Sequence, residues 1–430
     1  MLITALVFWI AVAAAARNHK LAMTVTVFCL PFTQVPTFKF FMRWRISELL
    51  AWLFLPFHLR LLQRRIKGMP FPVRWILGAM GGYFIYTGLI GIAHAPFVEV
   101  QVKEVLEHIH SPILRTILET ARGLASISLL IGVLAVVRTR NELQRLLKVF
   151  AWSGAISGGY SLYQAAVLSF GVPQALLPET LYHEGYVRPF GTFYEPTGTG
   201  SFTAATTFLI LYFLFAERKP VWLICLALNE LGFFVSLSRA GWAGLLMGGT
   251  VLLLLLAWRR RNLFWLIIST IVAGGLLWLG YLIAVRLFGE SMVQHSLSRQ
   301  WLEYSTQSRI ETYTQLPFLF REFFFGFGQG LFIVHGAGVA GLARLLIEGG
   351  FIGAVFLIAL HANVVRCLFR LLHKSSSQIW DISPFLTASY VSCFVTTLNY
   401  INVTDMWIWF VWGMPAMALW VEQQGVERRR

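Results

Sequence analysis

The chain has 430 residues, of which 57% are hydrophobic and only 13% charged, with a mean hydropathy of +0.67. Soluble domains carry about 25% charged residues, and a water-exposed fold of this composition would leave large apolar patches uncovered. The composition therefore excludes an ordinary soluble protein and predicts one integral membrane domain over residues 1–430. The net charge of +15 lies in short clusters between apolar runs, not in a basic face interleaved with exposed aromatics. It reads as membrane topology and sets nucleic-acid binding aside.

In chain order, the first twenty residues, MLITALVFWIAVAAAARNHK, have the apolar core of a signal peptide. They lack a basic stretch before that core, so they are read as a first span. A helical crossing needs about 20 apolar residues, or about 17 at the short end. Candidate spans follow at 2–16, 21–37, 46–62, 73–93, 113–137, 143–170, 199–216, 220–237, 240–257, 263–288, 337–360, 382–400 and 404–421. The expected fold is an all-α polytopic helix bundle of about 12 (11–13) transmembrane helices. Cys29, Cys225, Cys367 and Cys393 lie in or beside apolar segments, far apart and without a CxxC pair. They read as small packing residues.

Basic clusters at 60–67, 138–148, 218–219, 259–261, 366–374 and 428–430 recur at every second inter-span junction. They fix the C-terminus inside. Lys39, Arg43 and Arg45 break this pattern. Two outward-facing loops stand out by length, 171–198 and a larger one at 289–336, whose amphipathic runs predict helices along the interface.

The residues that could carry chemistry gather at these outer ends. Arg188 sits in VRPFGTFYEPTGTG, just before a span. Pro189 and Pro196 stiffen that loop, Gly191 allows a tight turn, and Thr197, Thr199 and Ser201 can cap the helix that follows. Backbone N–H groups at a helix start attract anions, and an adjacent guanidinium strengthens the attraction. Arg239, in VSLSRAGW, interrupts nearly forty apolar residues on the side where topology gives it no role. An intramembrane charge is a functional residue by default, here an anion-binding one. Arg309 and Arg321 are weaker cation candidates, since an interfacial helix carries such residues anyway. His335 is a candidate general base and Glu195 a weaker acid–base candidate, with His183 and Glu184 behind them. Glu348 lies deeper in its helix, placed to pair with Arg344. There is no metal-ligand spacing, Walker loop, dinucleotide fingerprint or nucleophile elbow, so neither a metal nor a cofactor is expected. A lipid-diphosphate leaving group needs only cations, which Arg side chains supply.

At these residues the chain resembles the O-antigen ligase and O-antigen polymerase superfamily of membrane glycosyltransferases. The R-x-x-G-T-F-x-x-P pattern of that family is matched by Arg188-Pro-Phe-Gly-Thr-Phe-Tyr-Glu-Pro196, and S-R-A/G followed by G by Ser238-Arg239-Ala240-Gly241. Ser308-Arg309, the turn Gly326-Phe-Gly-Gln-Gly-Leu-Phe332 and Glu348-Gly-Gly-Phe-Ile-Gly353 follow in the family's order, over roughly residues 185–360. The resemblance implies a bacterial inner-membrane enzyme that binds an undecaprenyl-diphosphate-linked glycan from the periplasm. Residues matching Arg188 and Arg239 would hold the diphosphate while a glycan or lipid A–core acceptor attacks with inversion and without metal. Gly191, Pro196, Gly328 and Glu348 take structural roles in this scheme. Membrane lipids and polysaccharide-assembly proteins are the other partners implied. The family places a His-Asn pair at the start of its last motif helix; here that place holds Val339 and Ala340, with His335 four residues earlier on the same helix face. The missing pair and the F-Y-E-P form favour a polymerase over a ligase. The reading of another class is a flippase for the same lipid-linked glycan, which should show paired helix interruptions in both halves; none is found.

Overall fold

The computed structural model describes residues 12–13, 18–33, 37–40, 42–63, 65–98, 111–170, 182–183, 186–187, 189–193, 195–260, 282, 285–286, 313–331, 341–374, 382–398 and 404–427. Over these residues the chain is an all-α bundle with two short antiparallel hairpins. The helices are α1 His19–Phe28, α2 Ile46–Gln63, α3 Phe71–His94, α4 Pro112–Val136, α5 Arg140–Phe170 and α6 Pro196–Glu217. Then come α7 Pro220–Val235, α8 Arg239–Arg260, α9 Gly341–Lys374, α10 Ser383–Thr397 and α11 Met406–Glu427. Residues 313–322 form a further helical segment. The hairpins are β1 Thr37–Phe40 with β2 Met42–Arg45, and β3 Tyr182–His183 with β4 Tyr186–Val187.

Among the described residues, five helices are long and apolar enough to cross a membrane: Phe71–Phe97, Pro112–Val136, Pro196–Glu217, Arg239–Arg259 and Gly341–His373. Large apolar side chains stand exposed along their outer faces, among them Ile85, Leu89, Leu254 and Ile358. Lipid rather than water suits such a surface. One expected span is corrected. The apolar stretch 21–37 is not one crossing, because α1 ends at Phe28 after ten residues. That is about 15 Å of helix, half the hydrocarbon thickness. Pro31 follows closely, and the chain turns over Cys29–Thr33 before β1.

The helices fall into two groups. In one, α6 packs against α5, α7, α8 and α10, with α5 on α7 and α8 on α10; in the other, α4 packs against α2 and α3, and α3 against α9. The last helix, α11, packs against α3, α4, α5, α9 and α10 and so joins them. Its Trp407, Trp409 and Trp412 are fully buried. Phe84 of α3 meets Trp409 at 4.7 Å between ring centroids, and Phe150 of α5 meets Phe410 at 4.9 Å. Rigid aromatic rings contribute both area and geometry to such a seam. All four cysteines are buried and unpaired, as packing residues are.

Candidate functional site

The start of α6 is built by a turn that only glycine fits. Gly191 has φ +60°, and a Cβ there would meet Ser161 Oγ at 2.6 Å and Thr199 Oγ1 at 2.7 Å. Gln164 of α5 brackets this peptide, its Oε1 accepting from Gly191 N (2.7 Å) and its Nε2 donating to Gly191 O (3.2 Å). Thr199 Oγ1 donates to Phe190 O, and the hydroxyls of Ser157 and Thr192 lie 2.8 Å apart. The turn is thus fixed to α5 and α6 before the helix begins. Glu195, half-buried, is the N-cap and Pro196 the first helical residue, where a missing N–H removes no helical hydrogen bond.

The start of α8 lies against it. Helix α7 ends at Ser236, and Leu237 takes a left-handed φ of +48°. That conformation costs a non-glycine residue on the order of 1–3 kcal/mol and marks a turn held by its surroundings. Ser238 then caps α8, its Oγ accepting from Gly241 N (3.1 Å) while its carbonyl accepts from Trp242 N (3.0 Å). Two glycines permit the approach of the helices. A Cβ on Gly200 would run into Ser238 and meet Ser236 Oγ at 2.8 Å, and one on Gly241 would meet Gly200 O at 2.7 Å. Two helix N-termini therefore converge, with Arg239, partly exposed, as the first residue of α8. Each N-terminus carries about half a positive charge. Together with the guanidinium they make an end of the bundle suited to an anion.

Across Trp407 lies a second polar region that sequence reasoning did not assemble. Trp407 packs edge-on against Phe202 and Phe193 of the α6 end (centroids 5.5 and 6.4 Å). Two residues earlier, Asp405 pairs with Arg45 at 2.5 Å. Arg45 N donates to Glu48 Oε2 at 3.0 Å, capping α2. Arg122 of α4 reaches Glu48 at 2.9 Å and Glu119 at 3.4 Å; Arg115 reaches Glu119 at 2.9 Å. Arg344 and Glu348 of α9 pair at 2.8 Å, as the sequence predicts. Among the described residues this gathers four arginines and four carboxylates, with side chains no more than 14% exposed.

The glycine-rich turn predicted at 326–332 serves this second region. Helix α9 is broken at Gly350 (φ +56°, ψ −153°). The freed carbonyls of Ile347 and Glu348 accept from Phe327 N (2.9 Å) and Gly328 N (3.0 Å), and Phe351 N donates to Phe324 O (2.9 Å). A broken helix at membrane depth is tolerated where other groups take up its backbone in this way. Gly330 N donates to Glu348 Oε1 (3.0 Å), Gln329 N to Thr87 O (3.0 Å), and Gly328 abuts the backbone of Gly91. Gly191, Gly328 and Glu348 make the contacts given above, and Pro196 opens α6.

Of the other predicted residues, Arg188, Arg309 and His335 lie outside the described residues. Arg321 is exposed on the 313–322 segment. That segment's apolar side chains pack with Ala95, Phe327, Ala343 and Ile347, within the second region. The residues missed were Arg45, Glu48, Arg115, Glu119, Arg122 and Asp405. A signal existed for three of them. Arg115, Glu119 and Arg122 stand at i, i+4 and i+7 inside an apolar stretch, on one helix face. In comparison with known proteins, no protein-family model matches the chain, and no curated protein and no solved structure matches it.

Proposed function

We propose that the chain is a membrane glycosyltransferase of the O-antigen ligase and polymerase type, acting as a polysaccharide polymerase. It takes an undecaprenyl-diphosphate-linked glycan at the periplasmic face of a bacterial inner membrane, in a bundle of about twelve crossings with the C-terminus inside. The observation that carries the reading is the approach of the start of α8, which Arg239 opens, to the start of α6, which brings together two of the five motifs on which the family resemblance rests. Arg188 stands eight residues before Pro196 in the sequence, and the family resemblance gives it the role of a second cation for the diphosphate.

In this reading an acceptor hydroxyl attacks the anomeric carbon as the bond from that carbon to the phosphate oxygen breaks. Charge grows on the departing diphosphate, and the guanidinium groups and helix N-termini stabilise it there. Preorganised donors of this kind contribute about 2.7–4 kcal/mol each to a transition state. The hydroxyl proton passes to a base, for which His335 and Glu195 are the candidates. The ionic region across Trp407 holds the scaffold on which the anion end is built.

The test is transfer by the purified protein in lipid with a purified lipid-linked repeat. Growth of a glycan ladder without lipid A supports the polymerase. Transfer only when lipid A–core is added assigns a ligase instead. Movement of labelled lipid across vesicles with glycan length unchanged would identify a flippase. If Arg188→Ala and Arg239→Ala both left transfer intact, the diphosphate site would be wrong.

A further inference from the structure

A further carboxyl, Glu230, lies in the bundle outside both regions. Glu230 is on α7, ten residues from its start at Pro220 and five from its end at Val235. That is about 15 Å and about 7.5 Å of helix, so it stands away from both ends of α7. Its flank is known from the burial of its own helix. Trp222, Cys225, Asn229, Gly232 and Phe233 face inward, Leu223, Ile224 and Ala227 face outward, and Glu230 lies half-buried between the two faces.

Its contacts are uncharged. Glu230 Oε1 is 2.5 Å from Thr207 Oγ1 and 3.3 Å from Asn229 Nδ2. Asn229 Nδ2 also donates to Thr203 O (2.9 Å) and Thr207 Oγ1 (3.0 Å), and Thr206 Oγ1 lies 3.0 Å from Asn229 Oδ1. Gly154 and Gly158 of α5 allow this cluster to close, since a Cβ at 154 would meet Asn229 Oδ1 at 2.9 Å and one at 158 would meet Asn229 Cα at 2.9 Å.

The charged groups of the packed helices stand elsewhere. On α5 they are Arg140, Glu142, Arg145 and Lys148, the last ten residues before Gly158. On α6 the charge is Glu217, ten residues after Thr207, paired with Lys148 and with Lys219 at 3.7 Å. Arg218 and Lys219 precede α7, and Arg239 lies beyond the α7–α8 turn. The phenols on these helices are Tyr160 and Tyr163, stacked on each other, and Tyr212, bonded to Gln144. Among the described residues the partners of Glu230 are therefore a hydroxyl and an amide.

The hydrogen bonds accommodate two states. With Glu230 ionised, Thr207 turns its single proton toward the carboxylate, and Thr203 O keeps its bond from Asn229. With Glu230 protonated, the acid donates to Thr207 Oγ1, and Thr207 donates to Thr203 O at 2.9 Å. The same hydroxyl and amide thus serve the carboxyl in both protonation states. We propose that Glu230, with Thr207 and Asn229, forms a reversible proton-binding site at the lipid-facing rim of α7. Binding forms an O–H bond on the carboxyl with a proton taken from bulk water, and release returns it there. The inference is independent of the glycosyltransferase reading.

The test treats the full chain in lipid with the hydrophobic reagent dicyclohexylcarbodiimide, which attacks protonated carboxyls, and maps the adducts by mass spectrometry. Labelling is expected at Glu230, absent in Glu230→Gln, and falling about tenfold per pH unit above the site's midpoint. Thr207→Val, which removes the donor to the ionised form, should move that midpoint to higher pH. Infrared spectra of the same samples read the site without a reagent. Wild type should show a carboxylic-acid C=O band at mildly acid pH that Glu230→Gln lacks. Absence of a Glu230-dependent acid band overturns the proposal with or without labelling, and so does labelling that does not vary with pH.

Discussion

Two polar regions lie on either side of Trp407, and they are built on opposite plans. At the α6–α8 end the partly exposed Arg239 opens α8, which meets α6 through Gly200, Ser236, Ser238 and Gly241. The α2–α4–α9–α11 end holds four arginines, each facing carboxylates, deep in the bundle. A paired and buried charge is spent on architecture, because its partner already satisfies it. At the α6–α8 end the backbone N–H groups of two helix starts add their own positive charge beside Arg239, which suits an outside anion. The same residue type therefore stands buried against carboxylates in one place and partly exposed at a helix start in the other.

The largest effect that would break this contrast is on stability. Glu348→Ala leaves Arg344 buried without its partner, and loss of one member of such a pair destabilises by about 3–5 kcal/mol. Chemical unfolding in detergent should show it. Replacing both, Arg344→Met with Glu348→Leu, should recover most of that loss, though Gly330 N then loses its acceptor. Next, Arg239→Ala should lower transfer by about 10²–10³-fold, the weight of one preorganised donor, while changing stability by less than about 1 kcal/mol, as a partly exposed substitution does. Equal stability losses in Glu348→Ala and Arg239→Ala would erase the distinction.

An intermediate effect is expected where the two helix starts touch. Gly200→Ala drives a methyl into Ser236 and Ser238. Overpacking of this kind costs about 1–3 kcal/mol, and the displaced α8 should lower transfer as well. Unchanged activity in a destabilised Gly200→Ala protein would separate the geometry from the chemistry.

The smallest effect concerns the opposite, basic end. Thr139 and Glu142 form a capping box at the start of α5: Glu142 Oε2 accepts from Thr139 N (3.2 Å) and Arg138 N (2.7 Å), and Glu142 N donates to Thr139 Oγ1 (3.2 Å). Partial burial pulls the Glu142 carboxyl up, but hydrogen bonds from Lys20 and from the Arg138 and Thr139 backbone hold it below the usual carboxylate range. A group depressed on folding stabilises the protein above its unfolded pKa, and that contribution is lost as pH falls through the folded one. Glu142→Gln should cost about 1 kcal/mol near neutral pH, and the gap from wild type should close toward acid pH in a thermal unfolding series.

The contrast also accounts for what was legible in the sequence. The membrane class and most helix positions follow from apolar runs that carry their own signal. The α6–α8 end was legible because its parts are local: Gly191 and Pro196 fix a turn and a helix start, and Arg239 interrupts an apolar stretch wherever its neighbours fall. The ionic end was not, because its charges come from residues 45–48, 115–122, 344–348 and 405, and only folding brings them together. Arg45 shows the difference. In sequence it looks like a violation of the positive-inside pattern; in the fold it is a buried partner of Asp405. The 21–37 stretch misled for the opposite reason, since apolar content continued past Pro31 where the helix did not.

The most direct measurement is glycan transfer from purified lipid-linked repeat by wild type and Arg239→Ala in the same lipid, with unfolding followed on the same preparations. The account predicts a glycan ladder from wild type and almost none from the variant at nearly equal stability. A variant that builds the ladder at the wild-type rate would contradict it.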